Sequence, residues 1–204
     1  MQEDAHEINK RVYGQFGMKR QIPFFKISWD NDDISMVRET IERGMHWSAG
    51  PNVKRFEKIL ARYTGTRYAA VFNSGTSCLL AALYAHGIGS GDEVIVPSFS
   101  FMSVAMAPSF LNAAPVFVDI EEETLGIDPQ KIEAKITKNT KAVIMAHYGG
   151  CPSKIAEIKK IAGKHNLLLI EDAAEAFGLE INSTKEGAFG DCGIFSIRKS
   201  CYSK

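Results

Sequence analysis

The run Leu167-Leu168-Leu169-Ile170-Glu171-Asp172 constrains the fold most. Four consecutive apolar residues are the pattern of a strand buried on both faces, as inner strands of parallel sheets are. Two carboxylates follow where that strand is expected to end. In open α/β sheets the carboxyl ends of the strands are where ligands bind. A carboxylate there is costly unless it meets a cation or several donors. Asp172 therefore either faces a positive group, such as a protonated ring nitrogen, or caps the next element.

The rest of the chain repeats this unit. Extended apolar runs are expected at 68–72, 93–97, 114–120, 141–146 and 190–196, in addition to the run ending at Asp172. Helical spacing falls between them, at 78–86, 102–111, 128–136 and 152–163, with two further helices upstream over 30–43 and from Pro51 onward. The Pro51 helix is expected to pack on the sheet through Val53, Phe56, Ile59 and Leu60. Alternation through 65–196 predicts an α/β fold, a doubly wound and mostly parallel sheet with helices on both faces.

One rim of that sheet would collect residues 74–77, Phe101, Asp119, His147, Asp172, Glu175 and Ser196. The turn Asn73-Ser74-Gly75-Thr76-Ser77 joins a strand to a helix, and its small side chains let backbone N–H groups approach an anion. Ser74 is equally a preferred helix cap. Phe101 either stacks on a flat ring, worth about 1 kcal/mol, or belongs to the core side of the next helix. His147 either reaches the rim or closes the core. The acidic run 121–123 reads as solvated. The turn is neither GxGxxG nor a Walker A loop. A phosphate cup, an aromatic plate and a carboxylate for a cation together suit pyridoxal 5'-phosphate.

Composition narrows the function classes. With 45% apolar residues the chain can build a core, and its formal net charge of zero points to neither nucleic acid nor an anionic membrane surface. Cys78, Cys151, Cys192 and Cys201 have no metal-like or paired spacing, which suits a reducing cytoplasm. The polar, acidic start is not a signal peptide, and no apolar run approaches the roughly 20 residues that span a bilayer. Three segments are expected: an N-terminal extension over 1–29, a large domain over 30–196 and a tail over 197–204.

Seven stretches, taken together, resemble the DegT/StrS-type sugar aminotransferases, a fold-type I, pyridoxal phosphate-dependent family. They are Gly50-Pro51-x-Val53-x-x-Phe56-Glu57, Asn73-Ser74-Gly75-Thr76-Ser77, Gly91-Asp92-Glu93-Val94-Ile95-Val96-Pro97, Pro115-Val116-Phe117-Val118-Asp119-Ile120, Ile127-Asp128-Pro129, Glu171-Asp172-Ala173-Ala174-Glu175-Ala176 and Gly190-Asp191-x-Gly193-x-Phe195-Ser196. They run in family order over about residues 30–196. The resemblance implies the N-terminal half of such an enzyme. It implies that Gly75 and Thr76 bind the cofactor phosphate, Phe101 stacks on the ring, Asp172 pairs with the ring nitrogen, Glu175 lies by the ring hydroxyl and Ser196 adds a phosphate contact. It further implies a nucleotide-linked keto-sugar substrate, an amino-acid donor such as glutamate, and a homodimer. Glu175, where many members carry Gln, resembles the perosamine-synthase-like branch, which acts on a GDP-linked sugar.

The chain departs from the family pattern after Ser196. The family lysine that bonds the cofactor lies five residues beyond that Ser, where this chain has Cys201. Lys199 and Lys204 are near but out of register, and each one-residue slip reverses side-chain direction in an extended segment. The dehydratase relatives that use His in place of Lys are not matched, since His165 is the last histidine. Two other readings stand beside the aminotransferase: an inactive remnant of the fold with residual cofactor or phosphate binding, and a nucleotide-binding α/β module without pyridoxal phosphate. A sheet lacking its last strands is also expected to expose apolar surface and to associate.

Overall fold

The computed structural model describes residues 29–45 and 50–197. Its centre is a five-stranded, all-parallel sheet. The strands are β1 (Glu93–Pro97), β2 (Ala114–Val118), β3 (Thr140–Ala146), β4 (Leu168–Asp172) and, after a small hairpin, β7 (Cys192–Ile194). Their order is β2-β1-β3-β4-β7. The hairpin pairs β5 (Glu180–Ile181) with β6 (Thr184–Lys185) in antiparallel register. Its two turn residues, Asn182 and Ser183, both hold positive φ, at 50° and 64°, as a type I′ turn requires.

Helices cover both faces. On one lie α3 (Gly75–Ala85) and α4 (Ser103–Phe110). There Leu79, Leu83, Val104 and Ala107 bury against Val94, Val96, Ala142, Ile144 and Ile170. On the other lie α5 (Pro129–Ile132), continued by a 3-10 turn over Glu133–Lys135, and α6 (Ile155–His165). There Ile132, Ile155 and Ile158 bury against Ile95, Val118, Val143, Met145 and Leu169. The doubly wound expectation holds. The helix expected over 128–136 is split by the 3-10 turn, and the one expected over 152–163 starts three residues later. Among the described residues no helix is long and apolar enough to cross a membrane.

Three expectations need correction. Residues 68–72 form no strand, because no strand of the described residues lies alongside to take their hydrogen bonds. They have no regular secondary structure, with Tyr68, Val71 and Phe72 exposed. The upstream helices are α1 (Asn31–Glu42) and α2 (Pro51–Thr64). α2 does not lie on the sheet: Phe56 and Ile59 are exposed, and the helix is fixed at its C-terminal end. There Thr64 is buried and Tyr63 stacks on Phe177 with ring centroids 5.0 Å apart. Finally, Glu171 and Asp172 do not follow β4 but form its last two residues.

The acidic run is not simply solvated either. Lys154 bridges Glu121 at 3.1 Å and Glu123 at 3.0 Å, tying the loop after β2 to the start of α6. The Thr124 hydroxyl donates to Glu121 and is the main reason its carboxyl sits at about 2, with desolvation opposing and the Lys154 bond adding to the fall. A depressed carboxyl stabilises the fold above its unfolded value and loses that effect as pH falls through its folded one. The loop over 119–128 should therefore keep its structure from neutral pH to below 4 and loosen as pH approaches about 2. Thr124→Val should move the Glu121 titration up toward the ordinary range, read by carbon NMR of the carboxyl. An unmoved Glu121 would mean that Thr124 is not the dominant contact.

Candidate functional site

Side-chain alternation along β4 divides its two acids. Ile170 joins the core beneath α3 and α4, so Asp172 points to that face, while Leu169 and Glu171 point to the other.

Glu171 is fully buried and its oxygens are occupied. Oε1 accepts the Gly187 N–H at 2.6 Å and lies 3.2 Å from His147 Nε2, and Oε2 accepts the Phe189 N–H at 2.9 Å. His147 is 1% exposed, and its Nδ1 accepts the Ser153 N–H at 3.2 Å. A ring that accepts at Nδ1 donates at Nε2, so His147 donates to Glu171. The rim role considered for His147 is therefore not seen; it closes the core on the α6 face. Asp119 stays at the rim end of β2, but its carboxylate is engaged by Lys131 of α5 at 3.1 Å and by the Ser98 hydroxyl at 3.4 Å.

Asp172 is the opposite case. It is 7% exposed, and among the described residues its carboxylate receives one hydrogen bond, from the Ala174 N–H at 3.1 Å. Burial pushes its carboxyl up, with the Ala174 bond and His147 opposing and Glu175 adding to the rise. Its charge, after burial, also helps to keep the Cys78 thiol raised on the second turn of α3. A buried carboxylate with a single hydrogen bond suits a cationic partner.

The N-terminus of α3 provides the complementary end. Ser74 is its cap: Oγ accepts the Ser77 N–H at 3.1 Å, and the Cys78 N–H bonds the Ser74 carbonyl. The cap reading of Ser74 is thus correct. It leaves the first-turn amides of Gly75 and Thr76 without an acceptor among the described residues, as helix starts do. A Cβ placed on Gly75 would meet nothing within 4 Å. The fold itself does not require glycine here, and the space is open to an anion.

The remaining expected residues border the same edge. Phe101 is 68% exposed after β1, not part of the core. Two residues earlier, Phe99 packs on Tyr148 with centroids 4.4 Å apart, an aromatic pair that sequence reasoning did not single out. Glu175 is exposed, and Oε2 accepts the Gly149 N–H at 2.7 Å, leaving its other oxygen available. Ser196 is half-buried just beyond β7, whose Ile194 pairs with Asp172. The edge thus brings together Gly75, Thr76, Asp172 and Ser196, with Phe101 and Glu175 exposed on adjoining loops. Cys201, Lys199 and Lys204 lie outside the described residues. The donors and the carboxylate fit a phosphorylated, protonated heterocycle such as pyridoxal phosphate.

Comparison with known proteins agrees with this reading. GDP-perosamine synthase of Caulobacter vibrioides is 41% identical over 168 residues, 82% of this chain and 45% of the relative. An aminotransferase structure from Psychrobacter cryohalolentis superposes with a TM-score of 0.80 at 32% identity, covering 85% of this chain and 44% of the other. Spr1654 of Streptococcus pneumoniae, solved in a PLP form, superposes with a TM-score of 0.84 at 26% identity, covering 89% and 50%. The chain spans less than half the length of the curated relatives it matches. The model of the DegT/DnrJ/EryC1/StrS aminotransferase family matches residues 28–199, and the chain belongs to that family.

Proposed function

We propose that this chain carries the cofactor-binding half of a pyridoxal 5'-phosphate-dependent aminotransferase acting on a nucleotide-linked keto-deoxy-sugar. The working form is a cytoplasmic homodimer, with glutamate as amino donor. The observation that carries this is Asp172, buried, with one hydrogen bond to its carboxylate and on the sheet face that α3 covers. Bound pyridoxal phosphate would supply an electron sink for moving the amino group. The Gly75 and Thr76 amides, the Thr76 hydroxyl and Ser196 hold the phosphate. Phe101 covers one ring face. Asp172 keeps a proton on the ring nitrogen, and its burial strengthens that pairing because little water competes. Glu175 sits by the ring hydroxyl while Gly149 fixes its other oxygen. The name of the Caulobacter relative supports a GDP-linked sugar.

A second reading is favoured by Cys201: without a lysine at that position the chain binds the cofactor but does not react with it. Restoring the lysine separates the two. After incubation with pyridoxal phosphate and borohydride, Cys201→Lys should carry a reduced cofactor label at position 201, and the parent chain none there. Labelling spread evenly over surface lysines in both proteins would contradict the proposed site.

A further inference from the structure

The segment over 67–73 leads straight into the Ser74–Thr76 turn, yet no strand among the described residues holds it. Among the described residues it has no strand pairing and no backbone–backbone hydrogen bond. Its large apolar side chains are exposed, so packing does not fix it either. Two side chains reach it. Thr66 Oγ1 donates to the Tyr68 carbonyl at 3.2 Å, at the start of the segment. Glu57 Oε1 accepts the Val71 N–H at 3.0 Å, three residues before the Ser74 cap.

Glu57 is well placed to act as a fixed point. It projects from the middle of α2, and the C-terminal end of that helix is locked. There Thr64 Oγ1 bonds the Leu60 carbonyl at 3.0 Å and Thr66 Oγ1 at 2.9 Å, and Gly65 turns the chain with φ 74°. Tyr63 stacks on Phe177, which in turn meets Phe195 edge-on at 5.7 Å beside β7. A carboxylate accepting a backbone N–H makes a stronger bond than a neutral acceptor. Among the described residues, a carboxylate fourteen residues away in sequence is thus the main restraint on the backbone that presents Gly75 and Thr76.

We infer that Glu57 is a positioning residue for the phosphate-binding turn, acting through Val71. This rests on the aminotransferase reading for the identity of the ligand, but not for the tether itself.

Amide hydrogen exchange on the full chain, with titrations of pyridoxal phosphate and of inorganic phosphate, tests it. Glu57→Ala should speed exchange over residues 71–76 by about tenfold and weaken both ligands by about tenfold, with β1 and β3 exchanging as in the parent. Glu57→Gln, which keeps an acceptor oxygen, should stay within about threefold of the parent on both readouts. Unchanged exchange over 71–76 in Glu57→Ala, or exchange raised equally across the sheet, would overturn the inference. If the parent binds neither ligand while the exchange contrast holds, the tether stands and the cofactor reading falls.

Discussion

Asp172→Asn should lose pyridoxal phosphate affinity by about a hundredfold or more while leaving the cofactor-free fold as stable as the parent, or more so. Removing one partner of a desolvated ion pair commonly costs about 3–5 kcal/mol of pairing, and Asn offers the ring nitrogen no counter-charge. The fold responds differently because it gains nothing from the charge. Asn keeps an oxygen for the Ala174 N–H and removes a carboxylate that burial disfavours. The sign with pH follows. A carboxyl raised in the folded state binds protons more tightly folded than unfolded, so the cofactor-free chain loses stability as pH rises through the Asp172 titration. The variant should lack that slope. Absorbance titration reads the affinity, and thermal midpoints between pH 4 and 8 read the slope. A variant that binds the cofactor like the parent would remove Asp172 from the site.

Gly193→Ala should destabilise the chain by about 3 kcal/mol or more, enough to abolish a folded baseline if the parent is marginal. The added methyl would overlap the Gly187 Cα and carbonyl, which are backbone and cannot swing aside. Gly187 is itself closed off by the Phe195 ring, so the strain has no local exit. The damage would spread to Glu171, which relies on the Gly187 N–H. Gly163→Ala provides the control. It lies in α6 with nothing within 4 Å of the added carbon, and alanine gains about 1 kcal/mol of helix propensity there. Urea unfolding midpoints should fall for the first and hold or rise for the second. Equal midpoints for Gly193→Ala and the parent would mean that β7 and the 187 loop are not packed as described.

The sheet was legible because its inner strands β1, β3 and β4 bury both faces, which writes them as continuous apolar runs. β1 matches the expected bounds to the residue, and β2 and β3 match closely. The failure at 68–72 has the same origin. That run has the composition of a strand, but pairing needs a neighbour, and composition does not say whether one is present. α2 failed for a related reason: periodicity shows that a helix has an apolar stripe, not what the stripe meets. At the site, the sequence singled out Asp172 as an acid at the strand end, and its carboxylate lies buried there and accepts the Ala174 N–H. Its neighbour Glu171 was invisible as a structural anchor because its three partners, His147, Gly187 and Phe189, are brought in by tertiary contact. His147 could be resolved only by knowing which face of β3 it leaves from. Glu57 stood within a recognised motif, and the one acidic residue among Lys54, Arg55 and Lys58 was the available signal.

The central claim is that one rim holds both ends of a single ligand, with its phosphate at Gly75 and Thr76 and its ring nitrogen at Asp172. The most direct measurement is a visible-absorbance titration of the parent chain with pyridoxal phosphate, repeated with inorganic phosphate as competitor and in Asp172→Asn. The account predicts saturable binding at one site, displaced by phosphate and lost in the variant. Binding that does not saturate, ignores phosphate and survives in Asp172→Asn would contradict it.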